Sequence, residues 1–213
     1  MNRLPLSLFN PRSPTMTLLE METRTLREGC IPVLETKRLI LRAPQLGDAK
    51  AVAALANDKR IAENTRRIPH PYTHADAEDF IGAVNVPGAE IAFLITRHDD
   101  TVLGACGIAL QDSAPDIGYW LGVEHWGKGY ATEAVRALID FAFTELAHET
   151  LHAGARVTNP ASRRILEKCG FQWMGVGLCR IRALNSSAPI DRFRLDRGLW
   201  TALRSWDEVK RVA

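Results

Sequence analysis

The chain has 213 residues, of which 46% are hydrophobic and 24% charged, and its net charge is +2. This is enough length and apolar content to bury a core within one domain, while the charge balance argues against a dedicated nucleic-acid binder, which carries a basic face or stripe. No apolar run is long enough to span a bilayer. Cys30, Cys106, Cys169 and Cys179 have neither metal-ligand spacing nor a disulfide framework, so they read as reduced thiols of a cytoplasmic protein without a bound metal.

Residues 1–30 contain Pro5, Pro11 and Pro14, several arginines and no helical or strand period, and read as a flexible extension ahead of a single domain over 31–213. Leu4 to Phe9 is too short and broken for the apolar core of a signal peptide. Translation from Met16 or Met21 would remove much of this segment. Arg38 to Arg42 reads as a short strand, and Asp48 opens a helix through Ala56. Thr73 with Asp76 three residues later has the form of a capped helix start, with the helix running to about Val84. Ile91–Thr96 and Val102–Leu110 flank Asp99-Asp100 as a hairpin, and Asp116–Val123 completes an antiparallel meander.

A glycine-broken turn then leads into a helix from Gly129 to Leu146. That helix puts Ala131, Ala134, Val135, Leu138 and Ala142 on one face and Glu133, Arg136 and Asp140 on another. Leu151–Val157 is the next strand. Asn159 caps a helix with Pro160 in its first turn and Gly170 at its close, and Phe171–Ala183 with Ile190–Leu195 forms a closing hairpin. A strand, helix, strand unit demands parallel pairing across its crossover. The expected architecture is therefore α/β in the α+β sense: a mixed, mostly antiparallel central sheet with flanking helices and one parallel pair.

The turn Trp126-Gly127-Lys128-Gly129-Tyr130-Ala131-Thr132 has the form of an anion cradle. Glycines admit close backbone approach, and the first turn of a helix presents N–H groups without internal partners at the positive end of its dipole. A nucleoside-triphosphate loop would need Ser or Thr after the lysine, where Gly129 stands. A dinucleotide fingerprint would need a third glycine at Thr132 and an acidic residue near Val157-Thr158-Asn159.

Four segments in chain order narrow the guest: Pro69-His70-Pro71-Tyr72-Thr73, Ile117-Gly118-Tyr119-Trp120-Leu121, Trp126 to Ala131, and Asn159-Pro160-Ala161-Ser162 through Gly170-Phe171. Together they resemble the GNAT superfamily of acetyl-CoA-dependent N-acetyltransferases, most closely the branch that acetylates ribosomal-protein N-termini at alanine or serine. The resemblance covers about Val33 to Trp200. Gly129 and Ala131 fit the family's phosphate loop, and Trp126 departs from its polar first position. The resemblance implies the GNAT fold, with a splayed strand pair that admits the pantetheine arm of acetyl-CoA. It implies cofactor contacts at Leu121, Val123, Trp126, Gly127, Lys128, Gly129, Tyr130, Ala131, Thr132 and Asn159. His70, Tyr72 and Tyr119 would stand where the amine acceptor enters. A homodimer is family analogy alone.

Acetyl transfer needs a neutral amine, a stabilised carbonyl oxygen and a proton for the departing thiolate. Many relatives supply that proton from a tyrosine seven residues after the asparagine, a position that is Leu166 here. The ribosomal-protein branch implies Ser162 instead, and a first-turn hydroxyl that only satisfies helix N–H groups is the alternative reading. For the base the chain offers Asp116, Glu124, His125 and Glu90, with Asp116 matching an acidic position of the branch. Arg163 and Arg164 are within a helix turn of the cap and are candidates for CoA phosphates. No nucleophile motif is present, so direct attack in a ternary complex is expected, without metal. A peptide N-terminus and a small amine remain competing acceptors, and a non-catalytic acyl-CoA-binding module is the reading from outside enzymology.

Overall fold

The computed structural model describes residues 31–86, 90–109 and 115–212. The expected extension over 1–30, Cys30 with it, and Leu110 at the end of the second hairpin strand lie outside the described residues.

The strands are β1 (Leu34–Glu35), β2 (Leu39–Arg42), β3 (Glu90–Arg97), β4 (Val102–Ala109), β5 (Asp116–Leu121), β6 (Thr150–Arg156), β7 (Gln172–Ile181) and β8 (Ser186–Asp196). They form one open sheet in the order β1-β2-β3-β4-β5-β6-β8-β7, antiparallel at every step except β5–β6. Helices α1 (Ala49–Ala56), α2 (Lys59–Ala62) and α3 (His74–Val84) precede the meander; α4 (Tyr130–Thr144), α5 (Pro160–Lys168) and α6 (Arg197–Val212) follow it.

Side-chain alternation divides the sheet into two faces. One face carries Phe93, Ile95, Cys106, Ile108, Ile117 and Leu121 against α4, which inserts Ala134, Val135, Leu138 and Ala142 as its sequence pattern predicts. Phe93 and Phe141 meet edge to face there, with ring centroids 5.6 Å apart. The other face is covered over its first half by α1 and α3. Leu94, Ala105 and Trp120 pack beneath α1 and α3 with Val52, Ile81 and Tyr72, which is why β3 reads as an unbroken apolar run. The start of α3 is the expected capping box: Thr73 Oγ1 accepts from Asp76 N, and Thr73 N donates to Asp76 Oδ2 at 2.9 Å.

The parallel pair is short, because only Asp116 with His152 and Ile117 with Ala153 stand in register before β5 and β6 part. This is the splay. The closing hairpin differs from its apolar runs, since β7 stops at Ile181, short of Ala183, and β8 begins at Ser186, ahead of Ile190; α2 and α6 carry no signal that the sequence reading used. Helix α6 follows β8 without a loop, docked by Trp200, whose indole lies 5.1 Å from Phe143 and donates to Asp140.

Candidate active site

The anion cradle is built as its glycines require. Gly127 and Gly129 have φ of +73° and +80°, and Gly129 is the N-cap of α4, so this helix begins without a side-chain cap and its first N–H groups stay open. A clamp absent from the sequence reading holds the turn. Arg38 donates to the Lys128 carbonyl at 3.0 Å, pairs through Nε with Glu133 at 2.7 Å, and lies 4.7 Å from the Tyr130 ring centroid. Glu133 also accepts from the Arg38 amide and from Thr36 Oγ1, each at 2.8 Å. Burial alone would raise the Glu133 carboxyl, but these hydrogen bonds and the Arg38 charge outweigh it and hold it below the usual range. Arg38 lies some ninety residues from the turn, so no local pattern announces it.

Beyond the last paired residues, the splay exposes backbone. Gly122 N donates to Leu103 O and His152 N donates to Pro115 O, which sets the alternation: Tyr119 and Leu121 turn their backbone groups toward β6, not β4. On the facing strand, Gly154 and Arg156 turn theirs toward β5 by the same alternation, since the β6–β8 bonds continue at Val157. Trp126 Nε1 takes up the Leu121 carbonyl at 2.8 Å. Its ring, 45% exposed, is a strand-end latch and not a core anchor. Val123 sits in the single 3-10 turn between β5 and the cradle. A thin amide-bearing ligand whose phosphates rest on Lys128 to Thr132 would find unpaired partners along this gap.

On the α4 face of the splay, Tyr119 and Ser162 come together across 43 residues. Their hydroxyl oxygens are 2.9 Å apart, and Tyr119 also donates to the Ser162 carbonyl at 3.2 Å. Burial pushes the Tyr119 hydroxyl well above its ordinary value, against the opposing bond from Ser162, so it stays a proton-bearing phenol. When Tyr119 donates, the Ser162 proton is free to point into the gap. Ser162 is held there by Asn159, whose Oδ1 accepts from Ser162 N at 3.1 Å as the cap of α5. Leu166, at the family's tyrosine position, is fully buried in the core.

On the opposite face, Asp116 stands where the splay begins. Burial raises its carboxyl, opposed by Arg66, by His152 and by Arg67; Arg66 Nη1 is 2.8 Å away. The other candidate bases are drawn elsewhere. Glu90 is paired with Arg67, its Oε2 accepting from Nη1 at 2.6 Å. Glu124 and His125 pair with each other beyond the other end of β5. Tyr72 is 8% exposed; its ring packs the smaller core and its hydroxyl donates to Asp76 O at 3.1 Å, leaving no free proton for an acceptor. His70 is exposed. Arg163 is turned toward Glu167 and Asp191, so exposed Arg164 is the freer of the two helix arginines.

The sequence matches the acetyltransferase (GNAT) domain family over residues 38–172. This chain belongs to the GNAT family. A relative from Bacillus licheniformis, the uncharacterized N-acetyltransferase p20, is 34% identical over 150 residues, covering 67% of this chain and 84% of its own length. The N-acetyltransferase YoaA of Bacillus subtilis is 30% identical, covering 68% of this chain and 85% of its own. Among solved structures, the fold is similar to RimL, a ribosomal-protein α-N-acetyltransferase in complex with coenzyme A, with a TM-score of 0.69, 17% identity and coverage of 78% of this chain and 98% of that one. It is equally similar to spermidine N-acetyltransferase from Vibrio cholerae in complex with CoA and spermine, with a TM-score of 0.67, 21% identity and coverage of 78% and 99%.

As a GNAT domain, the chain is an N-acetyltransferase, and its fold implies acetyl-CoA as cosubstrate. The residues present fit that group: the open N–H row at the head of α4 suits a pyrophosphate, and the unpaired backbone of β5 and β6 suits the amides of pantetheine. Among the described residues no group of His, Cys, Asp or Glu is placed to hold a metal, and no helix is long and apolar enough to cross a membrane.

Proposed function

We propose that this GNAT domain acetylates a peptide or protein N-terminus by direct attack of the amine on acetyl-CoA in a ternary complex. The observation that carries direct transfer is the placement of Ser162 and Asp116 on opposite faces of one splayed strand pair, and the likeness to RimL supports the peptide acceptor. A thioester lying in the gap has the proton-bearing Ser162–Tyr119 pair on one side and a carboxylate on the other.

Asp116 takes the amine's proton, directly or through a water, and its raised carboxyl is suited to hold it. A Tyr119 or Leu121 N–H facing the splay stabilises the carbonyl oxygen as it gains charge. Ser162 delivers its proton to the departing sulfur as the C–S bond breaks, takes the Tyr119 proton across their 2.9 Å hydrogen bond, and solvent reprotonates Tyr119 before the next turnover. The cofactor contacts of this reading are Leu121, Val123, the Trp126–Thr132 turn and Asn159. The cytoplasm is the compartment of this reading, where Cys106, Cys169 and Cys179 remain free thiols.

Thiol release from acetyl-CoA, measured against short peptides of varied N-terminal residue beside spermidine and other small amines, tests the acceptor. Turnover with peptides supports the reading. Turnover confined to one small amine would replace it, and thermal stabilisation by acetyl-CoA without turnover on any amine would favour a binding module.

A further inference from the structure

The face of the sheet that holds Asp116 leaves Gly118 and Gly154 exposed at and beyond β5 among the described residues, and the strand register places a row of glycines across it. Gly118 and Gly154 each stand one residue past the last paired positions, so they face each other across the mouth of the splay. Gly154 is in register with Arg192 on β8, and Arg192 with Gly175 on β7. Gly118, Gly154 and Arg192 are all exposed. A Cβ on Gly118 would meet nothing within 4 Å, so the lane above it is open. Arg192 is the one side chain in this row. Its guanidinium lies across the neighbouring strand, where a Cβ on Gly177 would come within 2.6 Å of its Cζ.

Charge along the lane is largely paired, the Asp76 carboxyl being held low by its Thr73 hydrogen bonds and by the charge of nearby Arg182, and the unpaired cations among the described residues are Arg156 and Arg192. Both nearby carboxylates are taken, Asp116 by Arg66 and Glu90 by Arg67. Arg156, at the end of β6, donates to Glu63 O at 2.9 Å, and its Nε is buried without a partner among the described residues. The side chains of Arg182 and Arg192 make no hydrogen bond or ion pair among the described residues, while the Arg182 amide ties the β7–β8 turn to Arg66 O at 3.0 Å. A polyamine acceptor would enter this field against repulsion, whereas an anion gains from it.

We infer that the acceptor is an acidic peptide N-terminus whose carboxylate is read by Arg192 about three residues beyond the reacting amine. Strands are spaced by about 4.8 Å, so a guanidinium over β7 is roughly 10 Å from the splay, the reach of about three extended residues at ~3.3 Å each. Gly118 leaves room for a backbone to lie flat, Ile190 borders the lane with its Cδ1 3.4 Å from a Cβ on Gly154, and the planar guanidinium receives a carboxylate in two parallel hydrogen bonds. This deepens the proposed peptide acetylation and rests on it.

The test uses C-terminally amidated pentapeptides with free N-termini, identical except for Glu, Gln or Lys at position three or four, and compares kcat/KM in the full-length chain and its Arg192→Gln and Arg192→Glu variants. The wild type is expected to favour Glu over Gln by up to about fivefold, the effect of a well-aligned ion pair at an exposed guanidinium. Arg192→Gln is expected to level the series, and Arg192→Glu to turn the preference toward Lys, an inversion that a merely structural arginine would not give. Peptides acetylated with equal efficiency, or a Glu preference that survives Arg192→Glu, would overturn the inference while leaving peptide acetylation standing. No turnover with any peptide, or turnover only with a polyamine, would overturn both.

Discussion

The two faces of the splayed strand pair are built by different means. On the cofactor face the working groups are mostly backbone: the open N–H row of α4, the unpaired edge of β5, and a serine set by the cap of its own helix. On the acceptor face they are side chains brought from afar, with Arg66 meeting Asp116 across 50 residues and Arg156 reaching Glu63 across 93. Backbone recognition needs glycines and caps, which leave local marks in sequence. Side-chain recognition needs only that the register be right, and it leaves none.

Four substitutions probe that contrast. The largest effect is expected from Ser162→Ala, which removes the proposed proton donor: kcat should fall by about a hundredfold, within the usual range for a general acid, while the affinity for acetyl-CoA, read by calorimetry, stays nearly constant. Loss of affinity with kcat intact would instead make Ser162 a cofactor contact. Gly129→Val forces a branched side chain to a φ of +80° and toward Arg38, 3.3 Å from the new Cβ. At about 1–2 kcal/mol of strain, acetyl-CoA should bind about tenfold more weakly with the acceptor KM little changed. Tyr119→Phe removes one hydrogen bond from Ser162 and should lower kcat by about five- to tenfold, which separates a supporting hydroxyl from a direct donor.

The smallest expected effect is on stability. The Glu133 carboxyl is held low in the folded protein, so its contribution is present above the unfolded value of about 4.3 and is lost as pH falls through the folded value. Glu133→Gln should therefore lower the melting temperature by a few degrees at pH 7, corresponding to about 1 kcal/mol, with the gap closing in acid. A gap that persists at pH 3 would show that the clamp acts through shape and not charge.

Legibility follows the difference between backbone and side-chain groups, and it cuts across both faces. The Thr73–Asp76 capping box, the Asn159 cap, the apolar stripe of α4 and the glycine turn are each written within a few residues, and the structure has them where periodicity and capping chemistry put them. Helix α2 is capped by Asp58, which accepts from Arg60 N, but its four residues are too few to show an apolar period, and α6 follows β8 with no turn between them. Tyr72 was expected beside the acceptor because of its motif, but an aromatic after two prolines also fills a core gap, and burial won. The Arg38–Glu133 clamp and the Tyr119–Ser162 pair depend on strands separated by whole elements, so only the folded register reveals them.

The most direct test of the opposed acid and base is the pH dependence of kcat/KM for the acceptor in the wild type and in Asp116→Asn. A base must be unprotonated to act, so the wild-type rate should fall as pH drops through the raised Asp116 value, below the separate inflection of an α-amine near about 8. The account predicts that Asp116→Asn is slower and keeps only the amine's inflection. An unchanged rate with the full wild-type profile would contradict it.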